Sequence, residues 1–540
     1  MFVERKASLA KYTNGDHIIK ITFPFDHMDL RRVKLITGRK YNPDGKYWTV
    51  PICEFSIDCL KASKFDIDPA IFKYMKQDRT NIDTLQPMKD IAGLKKELYA
   101  FQKKGVAFIE AKQGRALVAD DQGLGKTAQA LAWLQMHPEL IRTLVVVPAS
   151  VKLNWKNETK MWMTKPDTEI LNGTKPYGLS SKIVIINYDI LKAWADTIIA
   201  WAPQLIIADE IQYCKSSSTL RTKALKKIAK NVPHFIALSG TPIVNRPVEF
   251  YNAIKFVEPT LFPNYWHFTD RYCGRKHNGF GWDFNGATNT QELHEILTST
   301  IMIRRLKKDV LTELPDKIRS FFPLEMSKSG LKEYQFAEKN FIAWVRQNKG
   351  AEAAERVSNA KVLAEIEGLK QLAVKAKMAH AIDWIQDFLD TGEKLVVFAT
   401  HKFVIDELMD TFGNKAVKID GSVSGTNRQL AVDKFQNEAN TRLFVGNIQA
   451  AGVGITLTAA SNVAFLELPW SPAATEQAGD RCHRIGQKNT VNIYYLLAED
   501  TIEERIAKLL DAKRVVLAQI MDGKEPDAGS LLTELIENYE

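Results

Sequence analysis

Cysteine is scarce and scattered. The five, Cys53, Cys59, Cys214, Cys273 and Cys482, form no Cys-x-x-Cys pair and have no histidine-rich neighbour. Neither a zinc site nor a disulfide framework is expected, and a reducing interior suits the chain. Long hydrophobic runs are missing too. Met1 to Pro24 lacks the apolar block of a signal peptide, and no stretch approaches a membrane span. There is no low-complexity tract, no long disorder-prone tail, and no repeat beyond an echo between two halves. These absences lead us to expect a soluble intracellular protein with no membrane partner, cytoplasmic in a bacterial or viral source and nuclear in a eukaryotic one.

What is present is ordinary globular composition, 45% hydrophobic and 25% charged over 540 residues. That length exceeds one core and suits roughly three or four units. Lysine and arginine number 73 against 64 acidic residues, a net charge of +9, a mild surplus that fits a polyanion partner.

One loop organises the chain: Asp120-Asp121-Gln122-Gly123-Leu124-Gly125-Lys126-Thr127, entered from the apolar run Ala116–Ala119 and left through the helix-favouring Ala128 to Leu134. That is the strand, phosphate loop and helix order of a nucleotide site. Gly123 and Gly125 let the backbone turn N–H groups toward an anion, Lys126 supplies a point charge for the β and γ phosphates, and Thr127 a hydroxyl for Mg²⁺. Asp120 stands where the usual pattern begins with glycine.

Continuous apolar runs follow at 144–147, 183–186, 205–208 and 235–238, and again at 395–398, 417–419, 443–445, 463–468 and 491–497. Buried parallel strands separated by crossover helices read this way. The expected fold is therefore α/β, with two parallel-sheet lobes in succession and a small α+β module in front. Its divisions are 1–80 for the module, 81–93 for a linker, 94–325 for the first lobe, 326–390 for a helical insertion and connection, 391–520 for the second lobe, and 521–540 for a tail.

The first lobe's second informative site is the strand Leu205–Ala208 running into Asp209-Glu210. The first carboxylate is placed for Mg²⁺ and the second for polarising an attacking water. Ser239-Gly240-Thr241 follows the next strand and can relay the state of the phosphate. In the second lobe, Gln477 to Gln487 holds Arg481 and Arg484. Three apart on a helix, they would share a face and reach one target, the charge that develops on a γ-phosphate.

These stretches resemble the Swi/Snf family of helicase-like, double-stranded-DNA-translocating ATPases of superfamily 2. The match includes Val147-Pro148-Ala149-Ser150, Asn187-Tyr188, Arg304 to Val310, Leu314 to Lys317, Ile419 to Ser422, Gln449 to Leu457 and the Arg481-to-Gln487 ending. The resemblance implies two RecA-like lobes, ATP and Mg²⁺ as cofactors, and nucleotide contacts at Gln102, Asp121, Gln122, Gly123, Leu124, Gly125, Lys126, Thr127 and Gly454. It also implies DNA contacts at Lys152, Asn154, Trp155, Arg428 and Thr456. Two positions depart from the pattern. Gln212 stands where the family usually has histidine, and Ala450-Ala451-Gly452 where Ala-Gly-Gly is commoner.

Within the family the chain is similar to the annealing-helicase branch, through Glu467 to Pro472, His401-Lys402 and a HARP-like N-terminal module at Phe23 to Asp26 and Arg39 to Trp48. That module carries Arg39, Lys40, Lys46 and Trp48 as further DNA contacts, with Tyr41 as a stacking candidate. The expected partners are duplex, forked or bubble DNA and single-strand-binding or replication proteins, with the chain itself monomeric. The competing expectations are an RNA helicase, a nucleosome remodeller or strand-separating helicase, and a catalytically dead DNA-binding scaffold. A Ser-Gly-Thr in place of Ser-Ala-Thr argues against the first, and intact motifs argue against the last.

Overall fold

A computed structural model describes residues 5–11, 17–36, 38–77, 84–240, 247–277, 281–284, 286–311, 313–347, 359–452, 454–470, 472–508 and 510. Thr241, Pro242, the first three residues of the expected linker (81–83) and the expected tail lie outside the described residues. The packing divides the chain into two compact units, one of residues up to Asp120 with Gly125–Arg305, the other of Asp121–Leu124 with the described chain from Leu306 on.

The first unit contains a seven-stranded sheet, in the order Met302–Ile303, Arg115–Val118, His234–Leu238, Leu205–Asp209, Thr143–Val147, Ile183–Asn187, Thr168–Ile170. Every pairing is parallel. The central strands are buried on both faces, which is why they read as unbroken Val/Ile/Leu runs instead of alternating ones. The second unit contains a six-stranded parallel sheet in the order Lys317–Leu324, Val491–Ala498, Asn462–Phe465, Leu395–Ala399, Leu443–Asn447, Ala416–Ile419. The two are RecA-like lobes.

Two features of the second unit differ from expectation. The strand Lys317–Leu324, read with the first lobe, is the edge strand of the second sheet and pairs over its whole length with Val491–Ala498. Its half-exposed face and Pro323 hid it, since proline is tolerated only where one side of the ladder is open. The helices Lys328–Gln347 and Asn359–Asp390, expected as an insertion, pack into the second sheet's own cores. Tyr334, Ile366 and Leu369 join one buried cluster, and Val374, Met378, Ile385 and Leu389 join the other.

The N-terminal module is a five-stranded sheet, Lys40–Asn42, Tyr47–Val50, His17–Thr22, Lys6–Lys11, Asp66–Ile67. Helices His27–Leu35, Glu54–Ala62 and Pro69–Gln77 supply Val33, Ile57, Leu60 and Ile71 to its core. The turn expected between the two short strands is present, with the Asn42 side chain accepting the Gly45 N–H at 2.7 Å.

Candidate active site

The phosphate loop joins the strand Arg115–Val118 to the helix Lys126–Met136. Gly123 and Gly125 take φ of +87° and +74°, values a side chain would strain. A Cβ on Gly125 would also collide with the amide of Gln102. Gln102 is buried and is fixed by accepting the Tyr99 N–H at 3.0 Å. The Lys126 ammonium donates to the Asp120 carbonyl at 2.8 Å, curling the lysine back over the loop. Asp120 explains its own departure from the glycine pattern. Its buried carboxylate takes the Arg305 guanidinium and the Gln129 amide (2.9 Å), so it anchors the loop to the chain that closes the unit. Asp121 and Gln122 follow in the loop, Gln122 buried, and Leu124 is fully buried beneath it.

Asp209 ends its strand with both carboxylate oxygens engaged, one by the Trp155 indole N–H (2.8 Å) and the other by the Glu210 N–H (3.0 Å). Desolvation, and then the neighbouring Glu210 charge, push its pKa up. Glu210 sits at φ +51°, a left-handed backbone that costs a non-glycine residue free energy and recurs at functional sites. Its side chain is buried.

Gln212 bridges the two motifs. Its amide donates to Glu210 Oε2 at 2.5 Å, while its carbonyl accepts the Ser239 hydroxyl at 2.7 Å. Ser239 follows the strand lying between those of the phosphate loop and of Asp209, so the Glu210 carboxylate is tied to the neighbouring strand end. Glutamine does here what histidine does elsewhere, donating on one side and accepting on the other, without a titratable ring. We expect Gln212→Leu, which removes a hydrogen bond from the buried Glu210 carboxylate, to cost about 1–3 kcal/mol in stability. Turnover should fall about tenfold or more at unchanged ATP binding, and Gln212→His should restore both. A leucine variant that hydrolyses like wild type in a steady-state assay would reduce the bridge to packing.

In the second unit, Arg481 and Arg484 do not share a helix, contrary to expectation. The helix Pro472–Gly479 has ended, and residues 480–486 form successive turns. Gly479 packs against Ile493, where a Cβ would clash at 2.8 Å. The two guanidiniums still converge. Both reach the Ile455 carbonyl, at 3.4 and 2.9 Å, and Arg484 also donates to the Thr456 hydroxyl at 2.9 Å. Gly454, at φ +75°, immediately precedes Ile455.

A buried ionic frame, missed in the sequence, holds this turn. Lys307 pairs with Asp480 (2.8 Å) and donates to the His483 carbonyl (2.6 Å). Lys317 pairs with Asp480 (3.0 Å) and Glu476 (2.7 Å), and Arg319 with Glu476 (2.6 Å). Burial alone would raise the Asp480 pKa, but the two lysines overcome it and hold the carboxyl well below the usual range. Burial and the Lys307 charge take His483 down to about 4, keeping it neutral, so its Nε2–H donates to the Pro315 carbonyl at 2.7 Å. Charge alternation over the sequence carries no sign of these pairs, because their members come from distant segments.

The family profile for the SNF2-related domain matches residues 101–377, and that for the helicase conserved C-terminal domain matches 377–486. This chain belongs to the SNF2-related family. Among curated proteins it is similar to a Xenopus tropicalis SWI/SNF-related matrix-associated actin-dependent regulator of chromatin subfamily A-like protein 1. The two are 37% identical, over 78% of this chain and 45% of that one. The human DNA annealing helicase and endonuclease ZRANB3 is 36% identical, over 80% of this chain and 41% of that one. A Caenorhabditis elegans homolog of the first is 30% identical, over 94% of this chain and 75% of that one. The chain thus spans less than half the length of the first two relatives. The Sulfolobus solfataricus SWI2/SNF2 ATPase core in complex with dsDNA is 25% identical over 81% of this chain and 95% of that one. Its TM-score of 0.40 is too loose to bear on the geometry.

Several expected DNA contacts in this SNF2-related chain are placed otherwise. Trp155 is buried and spends its N–H on Asp209, because its position on the helix Lys152–Trp162 faces the sheet. Arg428 is buried too and donates to the Ala450 carbonyl. Lys152 is tethered to Leu171 O (2.9 Å) and Asn172 Oδ1 (2.8 Å), and Thr456 accepts from Arg484. Asn154 is half-buried. In the module, Trp48 packs partly against the core and Tyr41, its cross-strand partner, is 49% exposed, while Lys40 pairs with Thr49 on the other face. Arg39, Lys40 and Lys46 are exposed.

The SNF2-related second lobe also uses His401 and Glu467 together, two residues the sequence singled out without a role. His401 lies between Glu367 (3.2 Å) and Glu467, and Trp470 donates to Glu367 at 3.2 Å. The two carboxylates, Glu367 first, raise its pKa to about 9. The charged imidazole therefore stabilises the fold fully below about pH 6.5, and the gain is lost as pH rises through about 9. We expect His401→Gln to cost about 2–3 kcal/mol at pH 6 and almost nothing at pH 9.5. Thermal melts across that range check it, and a pH-independent difference would refute it.

A magnesium ion fits the donor set. Thr127 and the desolvated Asp209 offer one hydroxyl and one carboxylate. No group of three or more His, Cys, Asp or Glu among the described residues makes a protein-only cage. That matches an ion bound by one or two protein oxygens and by phosphates.

Proposed function

We propose that the chain is a DNA-dependent ATPase that moves along duplex DNA and rewinds separated strands or remodels branched DNA. One observation carries the reading. Three neighbouring strand ends of one parallel sheet hold the phosphate loop, Ser239 and Asp209-Glu210, with Gln212 bridging the last two. In this reading Lys126 and the loop N–H groups hold the β and γ phosphates. Thr127 and Asp209 hold Mg²⁺, which when bound neutralises charge on the phosphate oxygens. Glu210 orients the attacking water and takes its proton. Arg481 and Arg484 of the second lobe stabilise the charge that spreads on the transferring phosphoryl group.

The rewinding specificity rests on the relatives, one of which is named an annealing helicase, and on the basic N-terminal module read as HARP-like. The divisions read from the sequence are part of this proposal, with Lys317–Leu324 and the helices Lys328–Gln347 and Asn359–Asp390 moved to the second lobe. ATP turnover with and without duplex DNA, beside rewinding of a bubble substrate, tests the proposal. Duplex should raise turnover, and Lys40→Glu/Lys46→Glu, a surface change, should slow rewinding while sparing the fold. A double variant that rewinds at the wild-type rate would remove the recognition role from that face, and turnover indifferent to DNA would overturn the whole reading.

A further inference from the structure

Outside the nucleotide machinery, the first unit displays two tryptophans that no core requires. The helix Tyr265–Tyr272 buries Phe268 and Tyr272 but leaves Trp266 49% exposed, and on the hairpin Lys276–His277 / Trp282–Asp283, Trp282 is 48% exposed. Their ring centroids lie 6.4 Å apart. Arg275 lies with its guanidinium 4.3 Å from the Trp282 ring and 5.1 Å from Trp266, and Asp270 holds it there through Nη2 at 2.8 Å. His277 meets Trp282 edge-on at 5.1 Å. Two large indoles are thus kept at the surface in a fixed orientation, an arrangement that burying them would have made more stable.

The patch adjoins the N-terminal module within the same unit. The Phe55 ring packs 4.9 Å from His267, and Asp58 lies 3.7 Å from its Nε2. Residues 1–77 carry fourteen lysines and arginines against nine acidic residues, so the aromatic platform adjoins a module of net positive charge. Lys276, exposed, stands on the hairpin itself. Rigid exposed rings with a cation wedged between them, beside a basic surface, are what unstacked bases on a phosphate backbone bind.

We propose that Trp266 and Trp282, held by Arg275, form a stacking site for the unpaired bases of single-stranded DNA, whose phosphates run toward Lys276 and the N-terminal module. A strand awaiting rewinding has its bases exposed, and this platform would hold it next to the motor. The proposal rests on the function proposed above, but its test is separate. Equilibrium anisotropy, without nucleotide, compares a labelled oligothymidylate with an abasic strand of equal length. The full chain should prefer the thymidylate, Trp266→Ala and Trp282→Ala should each weaken its binding about tenfold or more, and the preference should vanish in the double variant. Trp282→Phe, which keeps a ring and the hairpin's packing, should retain most of it. Equal binding of abasic and thymidylate strands by the wild type, or an undiminished preference in the folded double variant, overturns the site. A patch that binds a protein instead would give that same result. Duplex-stimulated turnover of the wild type reports on the ATPase reading independently.

Discussion

Lys126→Ala should leave no ATP turnover above background, a loss of at least about a thousand-fold. The ammonium is buried at the helix start and donates to the Asp120 carbonyl. Alanine therefore removes the charge facing the β and γ phosphates without disturbing the Asp120–Arg305–Gln129 anchor that shapes the loop. Loop N–H groups remain, but fixed dipoles cannot replace a full charge at the place where charge develops. Turnover at saturating duplex DNA is the measurement, with melting as the control for folding. Activity within a few-fold of wild type would remove the loop from the reaction. Glu210→Gln makes the informative contrast. A carboxamide can keep its hydrogen bond to Gln212, so ATP binding should hold while turnover drops.

Replacing either Arg481 or Arg484 by alanine should lower turnover on the order of a thousand-fold with little change in ATP affinity, the expected signature of an arginine that acts mainly in the transition state. The two are not equivalent. Arg481 is buried and bonds the Gln477 and Ile455 carbonyls, whereas Arg484 is anchored at Ile455 and Thr456. Arg481→Ala should therefore also destabilise the second unit, and Arg484→Ala should be nearly isoenergetic. Arg484→Lys separates geometry from charge: both bonds, to the Ile455 carbonyl and the Thr456 hydroxyl, leave the single nitrogen Nη1, which an ammonium can mimic, but an ammonium has no second nitrogen to present to a phosphoryl oxygen. Normal hydrolysis in both alanine variants would make the turn a structural corner.

What the sequence disclosed followed from periodicity and loop chemistry. The strands Thr143–Val147, Ile183–Asn187, Leu205–Asp209 and Leu395–Ala399 were legible because strands covered on both faces become uniformly apolar. The phosphate loop was legible because only glycine fits its positive φ values. What stayed hidden is long-range. Arg305 and Asp120 lie 185 positions apart, and nothing local tells a buried partner from a solvated charge. Trp155, a DNA contact in what the resemblance implied, is buried with its N–H on Asp209, a partner 54 positions away that no local pattern reveals. Arg481 and Arg484 were correctly paired for the wrong geometry. Spacing suggests a helix, but the helix ends at Gly479, and a shared carbonyl brings the side chains together instead.

The helix Asn359–Asp390 has one more consequence. Over 32 residues, about 48 Å, it places Ile366 and Leu369 in one buried cluster and Val374, Ile385 and Leu389 in the other. Between them, Lys377 is fully buried and bonds Glu503 and the Leu496 carbonyl at 2.6 Å each. Neither side of the sheet can therefore loosen without dragging this helix away from the other. Amide protons on Leu395–Ala399 and on Val491–Ala498 should exchange with one common opening free energy, as a single cooperative block. Lys377→Met should lower that shared value without splitting it into two.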